Sequence, residues 1–126
     1  MSLKTQGKYY LVDLGLRNEL MGFRGRDYGF MLENVAYFEL LRRGFEVSIG
    51  KVGALEVDFV ATRPDKVLYC QVTASMLDDH TRARELAPLR VIDDNYEKIA
   101  LSMDRTPVTD FEGIRNVNLL DFLLTE

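Results

Sequence analysis

The chain has 126 residues, a length that fits one domain of ordinary size, and its 47% hydrophobic and 29% charged content is that of a soluble globular protein. A net charge of −4 and a pI near 5.1 disfavour an overall basic coat for nucleic acid while leaving room for a local basic patch. No apolar run reaches the span of a bilayer, residues 1–8 lack the apolar core of a secretory signal, and the single Cys70 excludes an internal disulfide; together these point to a cytoplasmic protein with no membrane partner.

In chain order, Lys8 to Asp13 reads as a short strand, broken by Gly15, and Leu16 to Met21 as a short helix. Gly22 to Gly29 reads as a loop with three glycines, in which Arg24 and Arg26 are candidate contacts to a phosphate backbone or simply solvated charges. Asp27 to Arg43 is the strongest helix pattern. Asp27 is placed to cap its start, and Tyr28, Met31, Leu32, Val35, Phe38 and Leu41 recur at helical spacing. Arg42 and Arg43 suit its negative end and Gly44 its stop. Glu33 interrupts the otherwise apolar row of Phe30, Tyr37 and Leu40, so its carboxylate needs an arginine, a backbone cap or a metal.

Phe45 to Ile49 alternates as a strand, and Gly50 to Gly53 turns into a second, Ala54 to Ala61. Strict alternation puts Leu55, Val57 and Phe59 on one face and Glu56 and Asp58 on the other. Thr62-Arg-Pro-Asp-Lys66 is a turn, and Lys66 to Thr73 is a third strand with Tyr69, Gln71 and Thr73 on one face and Leu68, Cys70 and Val72 on the other. Such a hairpin brings Asp58 beside Gln71, and oxygen ligands converging there suit a hard cation. Cys70, on the apolar face, reads as a small core residue.

A helix is expected from Ser75 to about Leu89 or Val91, with Asp78 and Asp79 near its start and Ala83, Leu86, Ala87 and Arg90 in register. Lys98 to Met103 reads as a strand, Asp104 to Asp110 as a loop, Gly113 to Asn118 as a last strand, and Leu119 to Leu124 as a short apolar helix that packs on the core or docks elsewhere. His80 has no Cys or second His nearby and reads as an exposed side chain; no P-loop is present. The order of elements suggests an α/β sandwich around a mixed central sheet.

The acid on the helix, the Asp on a strand and the polar pair on the next strand resemble the PD-(D/E)XK nuclease superfamily, which includes Holliday junction resolvases and restriction endonucleases. More closely, the chain resembles the C-terminal nuclease-like domain, of unassigned function, found in a group of prokaryotic AAA+ ATPases. The residues that carry this are Tyr9 to Leu16, Gly29-Phe-Met-Leu-Glu-Asn34, Glu39 to Gly44, Glu56-Val-Asp-Phe59, Gln71-Val-Thr73, Arg84-Glu-Leu86, Asp94-Asn-Tyr96 and Lys98. The resemblance implies a restriction-endonuclease-like three-layer sandwich with a central mixed sheet flanked by helices, in a single nuclease-like domain over 1–126 that belongs to a longer ATPase. It implies a site of Glu33, Asp58, Gln71 and Thr73, of which Glu33, Asp58 and Gln71 would hold Mg²⁺, or Mn²⁺ in its place, with Glu56 adjacent.

Two departures stand out. Gln71 replaces the expected acid and brings no negative charge, and Thr73 replaces the expected lysine and brings no positive one. Arg82, Arg84 or Lys51 are candidate substitutes for that cation. The expected function is therefore either a metal-dependent DNA phosphodiesterase with a degenerate site or a catalytically inactive module that binds nucleic acid or protein for the ATPase. Arg24, Arg26, Arg82 and Arg84, with Arg42 and Arg43, are candidate DNA contacts. The ATPase portion of the same polypeptide, DNA, and further copies of the chain are the expected partners.

Overall fold

A computed structural model describes residues 25–125, so the expected strand at Lys8, the helix at Leu16 and Arg24 lie outside the described residues. The order is α1 (Gly25–Arg42), β1 (Glu46–Val52), β2 (Leu55–Arg63), β3 (Lys66–Val72), α2 (Asp79–Arg90), β4 (Glu97–Ser102), β5 (Asp110–Phe111), β6 (Ile114–Asn118) and α3 (Leu119–Leu124). The strands form one mixed six-stranded sheet in the order β1-β2-β3-β4-β6-β5. β1, β2 and β3 are an antiparallel meander; β4 is parallel to β3 and β6 parallel to β4. Helices cover both faces. Leu32, Val35, Ala36 and Leu40 of α1 and Leu119, Phe122 and Leu123 of α3 pack on Leu68, Cys70, Val72, Ile99 and Leu101. Leu86 and Leu89 of α2 pack with Val57, Met76, Ala100 and Ile114 in a second apolar cluster. No helix among the described residues is long and apolar enough to cross a membrane.

α1 begins at Gly25, so the expected loop up to Gly29 is helical in its last five residues, and Asp27 lies in the first turn rather than at the cap. A carboxylate there still opposes the positive end of the helix, and packing of Tyr28 and Leu32 against the core offsets the roughly 1 kcal/mol that a helical glycine costs. The buried stripe is Leu32, Val35, Ala36 and Leu40, which leaves Phe30 and Phe38, expected on the apolar face, largely exposed. The helix ends where the sequence places its stop. Gly44 adopts φ +90°, its N–H donates to Leu41 O, and the Phe45 N–H donates back to Leu40 O, the paired bonds of a Schellman cap. Phe45 and Leu40 then share the core cluster.

Glu39, only 2% exposed, is the counter-ion of both Arg42 and Arg43, so neither arginine is the free DNA contact that the sequence suggested. Arg43 also donates to the carbonyls of Phe122 and Thr125 and stacks on the Phe122 ring, which joins the end of α1 to the end of α3. The closing apolar helix is thereby a core element, with Leu119, Phe122 and Leu123 buried.

The β2–β3 turn is a two-residue loop at Pro64 and Asp65 closed by the Arg63–Lys66 pair. β3 keeps the expected alternation, with Leu68, Cys70 and Val72 toward α1 and Tyr69 toward α2. β2 does not. Ser48 pairs with Val60 but Gly50 pairs with Val57, so Asp58 and Phe59 together stand opposite Ile49 as a β-bulge. Val57 consequently joins the α2 cluster while Phe59 joins the α1 cluster, an arrangement that period-two alternation forbids. Leu55 is left substantially exposed.

α2 starts at Asp79, later than the expected Ser75, because the Asp78 side chain accepts from the Thr81 N–H and caps it. Leu86, Pro88 and Leu89 are its buried residues; Ala83 and Arg90, expected in the packing register, are exposed. The expected loop from Asp104 ends in a short additional strand, β5, which forms a hairpin with β6.

The bulge depends on Gly50. A Cβ there would sit 2.6 Å from Val60 Cγ2 and 3.3 Å from Val57 Cβ, both on stiff β-branched side chains. Gly50→Ala is expected to lower stability by about 1–3 kcal/mol in urea unfolding, whereas Gly29→Ala, at a site with open space, is expected to be neutral or stabilising.

Candidate carboxylate site where β2 and β3 part

The β2–β3 ladder runs from the turn to the Phe59–Cys70 pair and no further. Beyond it two side chains take over the work of the backbone. The Asp58 N–H donates to Gln71 Oε1 at 2.6 Å, and the Val72 N–H donates to Asp58 Oδ2 at 2.9 Å. Asp58 and Gln71 are thus brought side by side, as the hairpin predicts. The other end of the amide is also engaged: Gln71 Nε2 donates to the Glu85 carbonyl of α2 at 2.7 Å. Gln71 is 3% exposed and ties β2, β3 and α2 together. A carboxylate at this position would set an oxygen against the Glu85 carbonyl, whereas an amide presents a donor to one side and an acceptor to the other. Gln71 is a tie in this structure, and its amide is not turned outward as a ligand. Thr73, just past β3, donates its N–H to Leu101 O, continuing the register with β4.

Three carboxylates share this end of the sheet. Asp58 is held above the ordinary carboxylate range by burial, with Glu56 adding to the rise and the Val72 N–H opposing it. Glu33, half-buried on α1, is raised by burial and then by the charge of Asp58. Glu85 on α2 is raised by burial, then by Asp58, with a smaller contribution from Glu33 and an opposing one from Arg84. Helices from both faces therefore bring an acid toward Asp58. Glu85 was not singled out in the sequence. The signal was its place within Arg84-Glu-Leu86, but only the three-dimensional approach of α2 to the β2–β3 gap makes it part of the site. Glu33, Asp58 and Glu85 are hard oxygen donors of the kind that suit Mg²⁺ or Mn²⁺. Among the described residues, no three His, Cys, Asp or Glu side chains are close enough together to enclose an ion as they stand.

The other expected residues are placed as follows. Glu56 is exposed and pairs with Lys51 at 3.4 Å, which makes it an edge charge and occupies the lysine at the strand entry. Arg82 donates to Asp79 and to the Met76 carbonyl and lies over the Phe111 ring, so it braces the start of α2. Arg84 is exposed beside Glu85, and Arg26 belongs to the first turn of α1. His80 is exposed in the first turn of α2. Cys70 is fully buried, and burial together with the charge of Asp58 drives its thiol pKa upward, as befits an inert core residue. Asp94 accepts from the Tyr69 hydroxyl and from Lys98 Nζ, fixing the loop after α2; burial and Asp94 push Tyr69 up to about 12.

The fold is that of an α/β domain with a six-stranded mixed sheet and three helices among the described residues. An uncharacterized protein of Haemophilus influenzae is 39% identical to the chain over 122 residues, a match that takes in 97% of this chain and 30% of that protein. The chain thus spans less than a third of the length of this relative. No family model and no solved structure matches the chain.

Two outcomes are expected from the geometry. Gln71→Glu removes the donor to the Glu85 carbonyl and buries a charge, so it should destabilise by about 2–3 kcal/mol in urea unfolding at neutral pH. The raised carboxyls mean that the native state keeps protons the unfolded chain has already lost, so their contribution to stability falls as pH rises just above the ordinary carboxylate range. Glu85→Gln should therefore unfold at higher urea than the parent at about pH 8 and match it at about pH 4; an equal difference at both pH values would contradict this.

Proposed function

We propose that this chain is a nuclease-like accessory domain of the PD-(D/E)XK type, restriction-endonuclease-like in its layering, that engages nucleic acid without cleaving it and serves a longer ATPase. The observation that carries this reading is the engagement of Gln71. Its amide is spent at both ends on backbone groups, where the resemblance expects a metal-binding acid. Thr73 offers no positive charge where a lysine is expected, and the nearby cation Arg84 stands at the surface. The much longer relative from Haemophilus influenzae fits a module that works as one part of a larger polypeptide.

Metal-dependent phosphodiester hydrolysis is a second reading, favoured by one specific observation: burial raises Glu33, Asp58 and Glu85 alike, the charge of Asp58 raises Glu33 and Glu85 further across the same gap, and a cation would relieve that cost. Glu33, Asp58 and Glu85 would hold it, and Gln71 would not. A divalent ion there would polarise a phosphoryl oxygen and acidify a bound water.

Calorimetric titration of Mg²⁺ and Mn²⁺ into the protein and its Asp58→Ala variant, followed by incubation with branched and single-stranded DNA, separates the two. Absence of product at millimolar Mg²⁺ or Mn²⁺, whether or not the cation binds, supports the non-cleaving module. Cation-dependent cleavage lost in Asp58→Ala would replace it with hydrolysis. DNA affinity should fall at least tenfold between about 50 and 200 mM salt; DNA binding absent at both would refute the nucleic-acid part.

A further inference from the structure

At the end of β3 opposite Asp58 and Gln71 lies a cleft of about 140 Å³. Its floor is apolar, made by Phe45, Leu68, Ile99 and Phe122 from the α1 side of the core. Its walls carry Arg43, Arg63, Lys66 and Arg115 against a single acid, Glu97. The strand register builds this concentration. Arg63 and Lys66 face one another across the hairpin turn, Leu68 stands opposite Glu97, and Ile99 stands opposite Arg115. Arg43 is neutralised by Glu39, and Glu97 is shared between Lys66 and Arg115. Arg63 has no carboxylate partner among the described residues. Its guanidinium donates to the Arg43 carbonyl at 3.0 Å and stacks 4.4 Å from the centre of the Phe45 ring. Those contacts fix the group while leaving part of its donor fork unused, the state in which an arginine is prepared for an incoming oxyanion. Asp65, at the turn tip, is exposed and is not part of the lining.

A chain of net charge −4 thus gathers an excess of cations around one small concavity. Lys66 and Arg115 are not rigidly committed, because both share one carboxylate near the surface, where solvent screens such pairs and makes them weak. A tetrahedral oxyanion would collect Arg63 together with Lys66 and Arg115, whereas an extended acidic peptide would need a longer groove than this cleft. We propose that this cleft is a phosphoryl-binding site, with Arg63, Lys66 and Arg115 as its donors and Glu97 as the internal anion that an incoming ligand displaces from two of them. The site is independent of the cation reading at Asp58, since it lies at the other end of the strand and on other residues.

The test is an NMR titration of the ¹⁵N-labelled full chain with inorganic pyrophosphate, ATP and a short single-stranded oligonucleotide, with sodium chloride at matched ionic strength as control. Saturable shifts of the Arg63 and Arg115 Nε–H and the Lys66 amide are expected. Arg115→Gln, at an exposed side chain, should weaken binding about fivefold. Glu97→Gln should have the opposite sign and tighten it, because it frees two cations, while Arg105→Gln, at an exposed cation outside the cleft, should leave it unchanged. Pyrophosphate and ATP binding equally, with the oligonucleotide no tighter, would identify a free phosphate or phosphoanhydride compound as the ligand; tighter oligonucleotide binding would identify a polynucleotide backbone. The proposal is overturned by the absence of saturation at about 50 mM pyrophosphate, by shifts centred on other residues, or by Glu97→Gln weakening binding as Arg115→Gln does.

Discussion

The structure turns on the place where β2 and β3 stop pairing. A sheet that simply continued would have satisfied Asp58 and Val72 through the backbone ladder. Here the side chains of Asp58 and Gln71 satisfy those N–H groups, and the strands are free to diverge. The bulge at Asp58–Phe59 belongs to the same solution: one extra residue in β2 bends the strand and breaks the alternation on either side. Buried N–H groups must be paired, so this divergence lasts only while both side chains are in place. The gap it opens is where the acids of α1, β2 and α2 meet.

Gln71 explains why an acid is absent from a position where the resemblance expects one. Its amide mediates between a donor on β2 and an acceptor on α2, a pairing that no carboxylate can reproduce. Once that bridge is formed, the negative charge of the site is supplied by Glu33, Asp58 and Glu85, one from each of the three layers. The cationic side chains are distributed differently. Several are absorbed by the framework: Arg43 links α1 to α3 and Arg82 braces α2. Others gather beyond the opposite end of β3. The acidic gap and the cationic cleft therefore lie toward opposite ends of β3.

Much of this was legible in the sequence because it is local. The stop of α1 at Gly44, the Pro64–Asp65 turn, the alternation of β3 and the apolar α3 each follow from a few neighbouring residues. The meeting of Asp58 with Gln71 was legible too, since hairpin geometry fixes it. The misses were those in which a distant element decides the outcome. Alternation in β2 fails because Gly50, on another strand, admits the bulge. Phe30 and Phe38 looked like core residues because helical spacing alone does not say which side faces the sheet. Arg42 and Arg43 looked like free charges because Glu39, one turn earlier, gives no sign in the sequence of being buried. Glu85 could not be assigned to the site until α2 was placed over the gap.

The order of the strands also carries a kinetic meaning. β1, β2 and β3 are joined by tight turns, so their contacts close short loops, and the Asp58–Gln71 bond spans only thirteen residues. The parallel pairings of β4 and β6 require the chain to travel through α2 and the β5 hairpin first. The Gln71 amide is bonded at both ends only when β2 and α2 are both in place, so the acidic gap and the closure of the α2 face depend on one side chain.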